Sequence, residues 1–362
     1  MIPLYDRNSI LILDLLTILK TYTDKHNRLT QKEIIDILEK EYFVKVERKT
    51  VKENMEKLIL YGEQNGKELI YYEERTRKIT DQKTDEEITV SVYTNFGYRH
   101  DFADSELRLI IDSLLFSKRI PNEERKQIIM KLEQLTNKNF TSRVKHITST
   151  SDGFPKNDEL FVNIAKLDEA ISNNVQVSFN YYDYVVDQNL NLAFESRINN
   201  EGNVREYMIN PYQMVAADGR YYLICNNDKF DTIANYRVDR IKNVKLRETK
   251  RKPIREIIGF ERGLDLQKYI DEHIYMFAGE SERVTVRLKK YALNEFIEFF
   301  NPENIIFSNQ TEDEITARVK VNRIAMRNWA LRYALHAKVI SPEDLVEDIK
   351  KDIEQAWKNY HQ

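Results

Sequence analysis

The spacing of apolar residues constrains the fold of this chain more than any other sequence feature, because it changes from a helical to a strand period. Residues 1–62 have the helical period of amphipathic segments. Within them, Thr30 followed by Glu33 predicts a capping box, in which each side chain accepts from a backbone N–H that the helix leaves unpaired. A third helix is predicted to begin near Glu47, with Gly62 as its stop.

The strand period begins at residue 69. Leu69–Tyr72 is a strand-like run, and Ile88–Val92 alternates apolar and polar residues as a half-buried strand does. A charged, polar stretch at residues 73–87 separates the two runs. Three helices followed by a two-stranded hairpin predict a winged helix-turn-helix within residues 1–100.

The middle of the chain returns to helices and then to short strands. Residues 101–157 predict a helical linker that ends in the Ser-, Thr- and Gly-containing stretch Thr141–Asn157. Residues 158–252 begin with one helix and continue with several short strands, two of them joined by an Asp218-Gly219 turn. Short strands at such close spacing predict a small barrel or a strongly bent sheet.

The last part of the chain predicts a different α+β layer. Residues 253–281 have a mixed pattern and are predicted to connect it to the strands that precede it. Residues 282–362 alternate strand and helix patterns in the order of a ferredoxin-like domain. Ser341 is predicted to cap the final helix, with Pro342 in its first turn. The whole chain is therefore predicted to be an α+β multidomain protein.

Composition excludes several classes of protein. The 362 residues contain 56 Lys and Arg against 59 Asp and Glu, a formal net charge of −3, so the chain is no polycation. Its only cysteine, Cys225, allows no internal disulfide, which fits a reducing cytosol, and we expect a cytoplasmic protein. The apolar run Ile10–Leu19 is far shorter than the ~20 residues of a membrane span, and no signal peptide is visible, so no membrane partner is expected.

The start of the predicted third helix carries residue types that contact DNA. Arg and Lys donate to guanine or phosphate, Thr serves either, and the N-terminal end of such a helix enters the major groove. The alternative is a solvated helix face, and for the wing an ordinary exposed loop. The candidate DNA-binding residues are Arg48, Lys49, Thr50, Lys52 and Glu53 on the helix and Arg75 and Arg77 on the wing.

Several segments, in order along the chain, resemble WYL-domain transcriptional regulators. Arg48–Lys52, followed by an apolar helix, resembles the recognition helix of that family. Gly219–Ile224 resembles the Trp-Tyr-Leu segment that names it, with Tyr221 in the place of the Trp. The other resembling segments are Asn210–Val215, which is similar to the start of the motif region, Asn235–Ile241, which is similar to Phe-Arg-Leu-Asp-Arg-Ile, and Trp329–Leu335 with Val339–Leu345, which are similar to the C-terminal WCX extension.

The resemblance implies an Sm-like β-barrel at residues 158–252 that senses a nucleotide or single-stranded nucleic acid, and a WCX domain at residues 282–362 that dimerises. The residues independently support an anion site, because residues 236–256 hold nine basic and three acidic side chains. Arg237 and Arg240 would face opposite sides of a regular strand, and one could pair with Asp239 instead of a ligand. The candidate ligand-binding residues are Tyr181, Tyr222, Arg237 and Arg240, and for both tyrosines a core position is an equal alternative.

The function expected from these observations is a ligand-responsive, dimeric transcription regulator. Its helix near residues 47–61 would bind a pseudo-palindromic double-stranded operator, and an effector at the WYL domain would change that affinity. The alternative is a nucleic-acid-binding accessory protein that regulates a partner enzyme. No enzyme activity and no cofactor are expected, since nucleotide-binding and hydrolase motifs are absent from the sequence. Asp239, Glu248 and Lys250 are the residue types of a nuclease site, but exposed charges at strand ends are the better explanation of this pattern.

Overall fold

The computed structural model describes residues 7–80, 87–116, 120, 122–141 and 157–361 of the chain. The chain divides into two compact units, Met1–Asp152 and Gly153–Gln362. Most of the predicted linker Thr141–Asn157, residues 142–156, lies outside the described residues. In the part of the chain that is described, helices are too short or too polar to cross a membrane.

The first unit begins with the predicted three helices and hairpin. Its elements are α1 (Arg7–Tyr22), α2 (Gln31–Glu41), α3 (Arg48–Gln64), β1 (Ile70–Thr80) and β2 (Glu87–Tyr98). Apolar residues from all three helices, such as Leu15, Ile34 and Met55, are fully buried together with Phe96 of β2. Three helices and a two-stranded hairpin on one core are the elements that the sequence analysis predicted for a winged helix-turn-helix.

Local details of this unit differ from two predictions. The capping box of Thr30 and Glu33 is present as predicted. Gly62, however, does not end α3, which continues to Gln64; a Cβ at Gly62 would lie 2.7 Å from the carbonyl oxygen of Lys67, so this glycine allows the following chain to pass close to the helix. The polar stretch 73–87 is not a connection over its whole length either, because β1 continues to Thr80 and β2 begins at Glu87.

Three further helices complete the first unit. They are α4 (Asp104–Phe116), α5 (Asn122–Glu133) and the short α6 (Lys138–Thr141). Leu107, Ile111 and Phe140 form a small buried cluster between them. The helical prediction for this region is therefore correct as far as residue 141.

The second unit opens with a curled sheet beneath one helix. Its elements are α7 (Leu160–Asn173), β3 (Val175–Val186), β4 (Leu192–Ser196), β5 (Glu206–Ala217), β6 (Arg220–Asn226), β7 (Ile233–Arg237) and β8 (Ile241–Lys250). All pairs are antiparallel, in the order β4-β3-β5-β6-β7, and β8 pairs with β3. A single turn of 3-10 helix, Val238–Arg240, links β7 to β8. The sheet thus curls into a half-barrel, and β4 is a strand that the sequence analysis did not predict.

A buried polar network holds the inner part of this sheet. The side-chain amide of Asn210, which is fully buried, donates to Asp228 Oδ1 at 2.6 Å and to Asn226 Oδ1 at 3.2 Å. Its carbonyl oxygen accepts from Gln176 Nε2 at 3.0 Å and from the Lys252 backbone N–H at 2.9 Å. Because buried polar groups need partners, Asn210 ties β5 to three other chain segments, and its place in the family-like Asn-Pro-Tyr segment is structural.

The rest of the second unit is the predicted α+β layer. Its elements are α8 (Leu266–Glu272), β9 (Ser281–Lys289), α9 (Leu293–Phe299), β10 (Ile306–Ser308), β11 (Glu314–Asn322), α10 (Arg323–Arg332), β12 (Ala337–Ser341) and α11 (Glu343–Tyr360). The sheet has the antiparallel order β10-β11-β9-β12. One of its faces packs against a core around Trp329 and Phe296. The predicted cap is wrong by one residue: Ser341 ends β12, and Pro342 occupies the N-cap position of α11.

Candidate nucleic-acid interface and effector site

One side of the first two turns of helix α3 faces away from the core of the winged helix-turn-helix. Val51 and Met55 are fully buried, whereas Lys49 and Glu53 are exposed. Glu47 is the N-cap residue but its side chain accepts no capping hydrogen bond, so backbone N–H groups at this helix start keep their capacity to donate. Such groups favour an anion such as a phosphate.

The predicted cations of α3 differ in their partners. The Arg48 Nε donates to the Gln31 side-chain oxygen at 2.9 Å, which ties α3 to the start of α2. Lys52 lies 3.6 Å from Glu56, one turn further along. Lys49 forms no side-chain hydrogen bond or ion pair with any residue that the structure describes. The Thr50 carbonyl accepts from the Asn54 side chain at 2.8 Å, and the half-buried Thr50 side chain lies beside the exposed face.

The wing carries the other two predicted DNA contacts. Arg75 and Arg77 lie on β1 opposite Val92 and Val90 of β2, and both are exposed. Arg75 is 3.2 Å from Glu73, an exposed ion pair of little energetic weight. Arg77 has no such partner among the described residues. The two arginines project from a regular strand and not from a loop.

In the curled sheet, the predicted ligand residue Arg237 is held by a carboxylate. Its Nε and Nη2 donate to the two oxygens of Asp239 at 3.1 and 2.7 Å, a bidentate geometry that the 3-10 turn Val238–Arg240 permits. Burial opposes the charge, but the Asp239 carboxylate outweighs it and holds the pKa of Arg237 above its usual value. An anionic ligand at Arg237 must therefore compete with Asp239.

Tyr181 lies at the centre of an arginine and tyrosine cluster. Its ring has the guanidinium of Arg240 at 4.7 Å and that of Arg197 at 5.0 Å from its centroid. Its hydroxyl accepts from the Arg237 backbone N–H at 3.3 Å. Burial raises the pKa of Tyr181, so the hydroxyl stays protonated. Tyr181 is only 5% exposed, and it packs edge-on against Tyr236.

Arg240 and Tyr222 complete the predicted set. The Arg240 Nε donates to the Tyr182 carbonyl at 2.7 Å, and its Nη2 forms an ion pair with Asp183. Tyr222 pairs across the strands with Arg237 but is 7% exposed, in the apolar cluster with Ile224. The structure thus brings Tyr181, Arg237 and Arg240 together and places Tyr222 beside them on the core side.

The sequence analysis missed three charged members of this cluster. The Arg205 backbone N–H donates to the Arg197 carbonyl oxygen at 2.8 Å, so the two arginines lie on neighbouring chain segments. The Arg205 guanidinium lies 4.6 Å from the Tyr207 ring centroid. Asp183 accepts from Arg197 Nε at 2.6 Å and also contacts Arg240. The available signal was the turn composition Asn-Asn-Glu-Gly-Asn at residues 199–203, which places the flanking arginines opposite each other.

Much of the basic excess at residues 236–256 is neutralised in the folded chain. Arg240, Arg247 and Lys252 form ion pairs with carboxylates from outside that stretch, which belong to Asp183, Glu206 and Asp231. Together with Arg237, four of the nine basic residues therefore have carboxylate partners. The positive character of this stretch is weaker on the surface than along the sequence.

A cavity of about 400 Å³ in the second unit has a lining that does not include the arginines and tyrosines of the Tyr181 cluster. It is lined by apolar residues such as Ile258 and Phe260 and by the polar residues Lys268 and Lys320. None of the four predicted ligand residues lines it. Within the described ranges, His, Cys, Asp and Glu side chains form no group of three or more that could hold a metal ion.

The fold and these two sites define a protein that joins a winged helix-turn-helix to a sheet with an arginine-rich cluster. Family models identify the second unit: a WYL domain matches residues 162–246, and a WCX domain matches residues 280–357. The second unit therefore contains a WYL domain followed by a WCX domain, and both domains were expected from the resemblance seen in the sequence. Among curated proteins, no sequence matches it.

Two solved structures are similar to this chain at low sequence identity. Proteasome accessory factor B/C (PafBC) of Arthrobacter aurescens is 12% identical, with a TM-score of 0.26 over 97% of this chain and 49% of that chain. A CRISPR Cas-related protein is 14% identical, with a TM-score of 0.36 over 91% of this chain and 76% of that chain. The chain thus spans about half the length of the PafBC chain that it matches.

Proposed function

We propose that this WYL-domain protein is a DNA-binding transcription regulator that acts as a homodimer in the cytoplasm. The observation that carries the proposal is the exposed basic start of α3 within a winged helix-turn-helix, where Lys49 has no partner among the described residues. In such domains this end of the helix enters the major groove. Two copies related by a two-fold axis would bind a pseudo-palindromic operator.

The proposed effector is a nucleotide or single-stranded nucleic acid that binds at the Tyr181 cluster. Four arginines, Arg197, Arg205, Arg237 and Arg240, surround its aromatic rings, which matches the phosphate and base chemistry of such a ligand. The effector would change operator affinity only if it binds two conformations of the dimer with different affinity. The proposal contains no catalytic step, so nucleic acid incubated with the protein and Mg²⁺ should remain intact.

Fluorescence anisotropy across a salt series tests the proposal. The intact protein should bind the duplex upstream of its own gene ~10³-fold or more tightly than a scrambled duplex. Lys49→Ala should weaken operator binding and reduce the slope of log K against log salt by about 0.9, the value for one lost phosphate contact. Lys126→Ala, which removes an exposed cation from α5, is the matched control and should leave both quantities unchanged.

Two results would contradict this function. Equal, weak binding of the intact protein to both duplexes would argue against regulation of its own promoter and raise the accessory-protein alternative. A footprint that covers one asymmetric half-site would contradict the two-fold dimer, since its two recognition helices require two half-sites one or two helical turns apart.

A further inference from the structure

The four-stranded sheet β10-β11-β9-β12 has one face packed on the core, and at one end of its other face lie residues of α8. Along β9, Val284, Val286 and Leu288 are buried, whereas Arg283 and Arg287 between and beside them are exposed. Because side chains alternate across a strand, the exposed residues share the face opposite the core. We call this the outer face.

The outer face is strongly basic. Its cations on the two central strands and β12 are Arg283, Arg287, Lys289, Arg318, Lys320 and Lys338. Two of them have carboxylate partners at the ends of the face: Lys289 lies 2.7 Å from Glu314, and Lys320 lies 3.0 Å from Glu272 of α8.

The other four cations of the outer face are not neutralised. Arg283, Arg287, Arg318 and Lys338 are exposed, and none of their side chains forms a hydrogen bond or ion pair with another residue that the structure describes. Glu314 interacts with this face mainly through Lys289, which lowers the pKa of Glu314 first, whereas Arg287 lowers it to a smaller extent. The centre of this face therefore carries net positive charge.

The strand register brings these cations close together. Thr285 is opposite Arg318, so Arg318 lies midway between Arg283 and Arg287, which are about 13 Å apart at ~3.3 Å per residue. Lys338 is directly opposite Arg287 on the other side. Neighbouring like charges on one sheet face destabilise the sheet. A ligand with several negative charges in a row relieves this repulsion, whereas a single phosphate reaches only part of the row.

A cleft at one end of the outer face favours a single strand over a duplex. It has a volume of about 290 Å³, and its charged walls are Lys268, Asp271 and Glu272 of α8 with Arg283, Arg318 and Lys320 of the sheet, four cations against two carboxylates. The α8 helix is fixed above the sheet because Asp271 accepts from the side chains of Asn301 and Asn304 at 3.0 and 2.7 Å. A flexible strand can pass a phosphate and its sugar into such a cleft, but a rigid double helix is too wide.

We propose that the outer face binds the phosphodiester backbone of single-stranded nucleic acid without reading its bases. Thr316, which lies between the Arg287 and Ser308 positions, is 4% exposed and forms part of the floor beneath the long basic side chains. No aromatic residue is required for this binding, because the contacts are electrostatic and independent of sequence. The surface is separate from both α3 and the Tyr181 cluster, so it stands or fails independently of the proposed function.

The test uses the full chain and fluorescein-labelled dT20, with rU20 in parallel because DNA and RNA share the backbone chemistry. The variant Arg283→Gln/Arg287→Gln/Arg318→Gln should bind both probes at least 10-fold more weakly at low salt. Its slope of log K against log salt should fall by about 2, since each phosphate contact of a single strand contributes ~0.7. Affinity for the duplex upstream of the gene should not change.

The matched control is Lys350→Gln/Lys351→Gln/Lys358→Gln, which removes three exposed cations from α11. An equal loss of dT20 binding in this control would overturn the proposal, because net charge alone would then explain the effect. An unchanged salt slope in the sheet variant, with a native circular-dichroism spectrum, would also overturn it. Displacement of dT20 by an equal concentration of polyglutamate of the same charge would also overturn the proposal, because it would identify an acidic protein as the ligand. A sheet variant that only loses dimerisation, measured by sedimentation velocity, would overturn it as well.

Discussion

Asp183 lies where its removal should increase the affinity of the WYL-domain cluster for an anion. Its carboxylate accepts from Arg197 at 2.6 and 3.3 Å and also pairs with Arg240. The same guanidinium groups flank the Tyr181 ring. Asp183→Asn keeps the shape of the side chain but removes one negative charge from the place where a phosphate is proposed to bind.

The magnitude follows from Coulomb's law. A phosphate bound against the arginines would lie about 8 Å from the Asp183 carboxylate, so removal of their repulsion is worth ~0.5 kcal/mol at the dielectric constant of water and ~2 kcal/mol at an effective value of 20. These limits correspond to about 2-fold and 30-fold tighter binding. The gain should shrink above ~0.1 M salt, where the screening length is about 10 Å.

The assay is anisotropy of fluorescein-labelled dT12, measured with the sheet variant Arg283→Gln/Arg287→Gln/Arg318→Gln as background so that the contribution of the outer face is reduced. Asp168→Asn is the matched control, because Asp168 is an exposed carboxylate of α7 and its loss changes the net charge equally. Weaker or unchanged binding by a folded Asp183→Asn protein would refute the reasoning. It would mean that Asp183 positions the arginines for the ligand and does not compete with it.

The other predictions concern stability. Gly97→Ala should lower the melting temperature, because a Cβ there would lie 2.6 Å from the Asp24 carbonyl oxygen and such overpacking costs ~1–3 kcal/mol; an unchanged melting temperature would contradict the close approach. Thr30→Ala should cost ~1 kcal/mol in urea unfolding at pH 7. Hydrogen bonds from the Thr30 N–H and hydroxyl hold the pKa of Glu33 below its usual value. The ionised Glu33 therefore stabilises the fold fully above the pKa of ~4.3 that Glu has in the unfolded chain, and this stabilisation is lost as the pH falls through the lower pKa of the folded state. The difference in stability between Thr30→Ala and wild type should therefore shrink below about pH 4. The free energy of unfolding of Trp329→Phe in urea should stay within ~1 kcal/mol of wild type. The smaller ring loses ~1 kcal/mol of packing, but the variant also removes a buried indole N–H that has no partner among the described residues. Trp329→Ala should cost ~3–5 kcal/mol.

Local patterns predicted the elements that carry their own signal. The capping box of α2 and the exposed start of α3 depend on residues within one or two turns, and both are present as predicted. The strands β4 and β10 were missed because they are short edge strands without a fully buried residue. They exist through pairing with β3 and β11, and no alternation of their own indicates it.

The charge environment of the candidate site could not be predicted from local sequence. Arg237 and Arg240 were expected on opposite faces of one strand, but the 3-10 turn between β7 and β8 interrupts that strand and turns Arg237 onto Asp239. The partner of Arg240, Asp183, is 57 residues earlier in the chain. A run of basic residues reports surface charge only when the fold brings no carboxylate to it, and that depends on strand register.

The cations of this protein therefore fall into two environments with different expected behaviour toward nucleic acid. In the WYL domain, Arg237 and Arg240 are held by carboxylates, so a phosphate that binds beside them must compete with the negative charge of Asp239 and Asp183. That competition leaves little net electrostatic energy, and selectivity then depends on stacking against the aromatic rings. On the outer face of the WCX domain, Arg283 and Arg318 have no carboxylate to displace among the described residues, so binding there should follow charge alone and weaken steeply with salt. High salt should for this reason suppress the sheet contact first and leave the WYL-domain cluster as the surface that distinguishes one ligand from another.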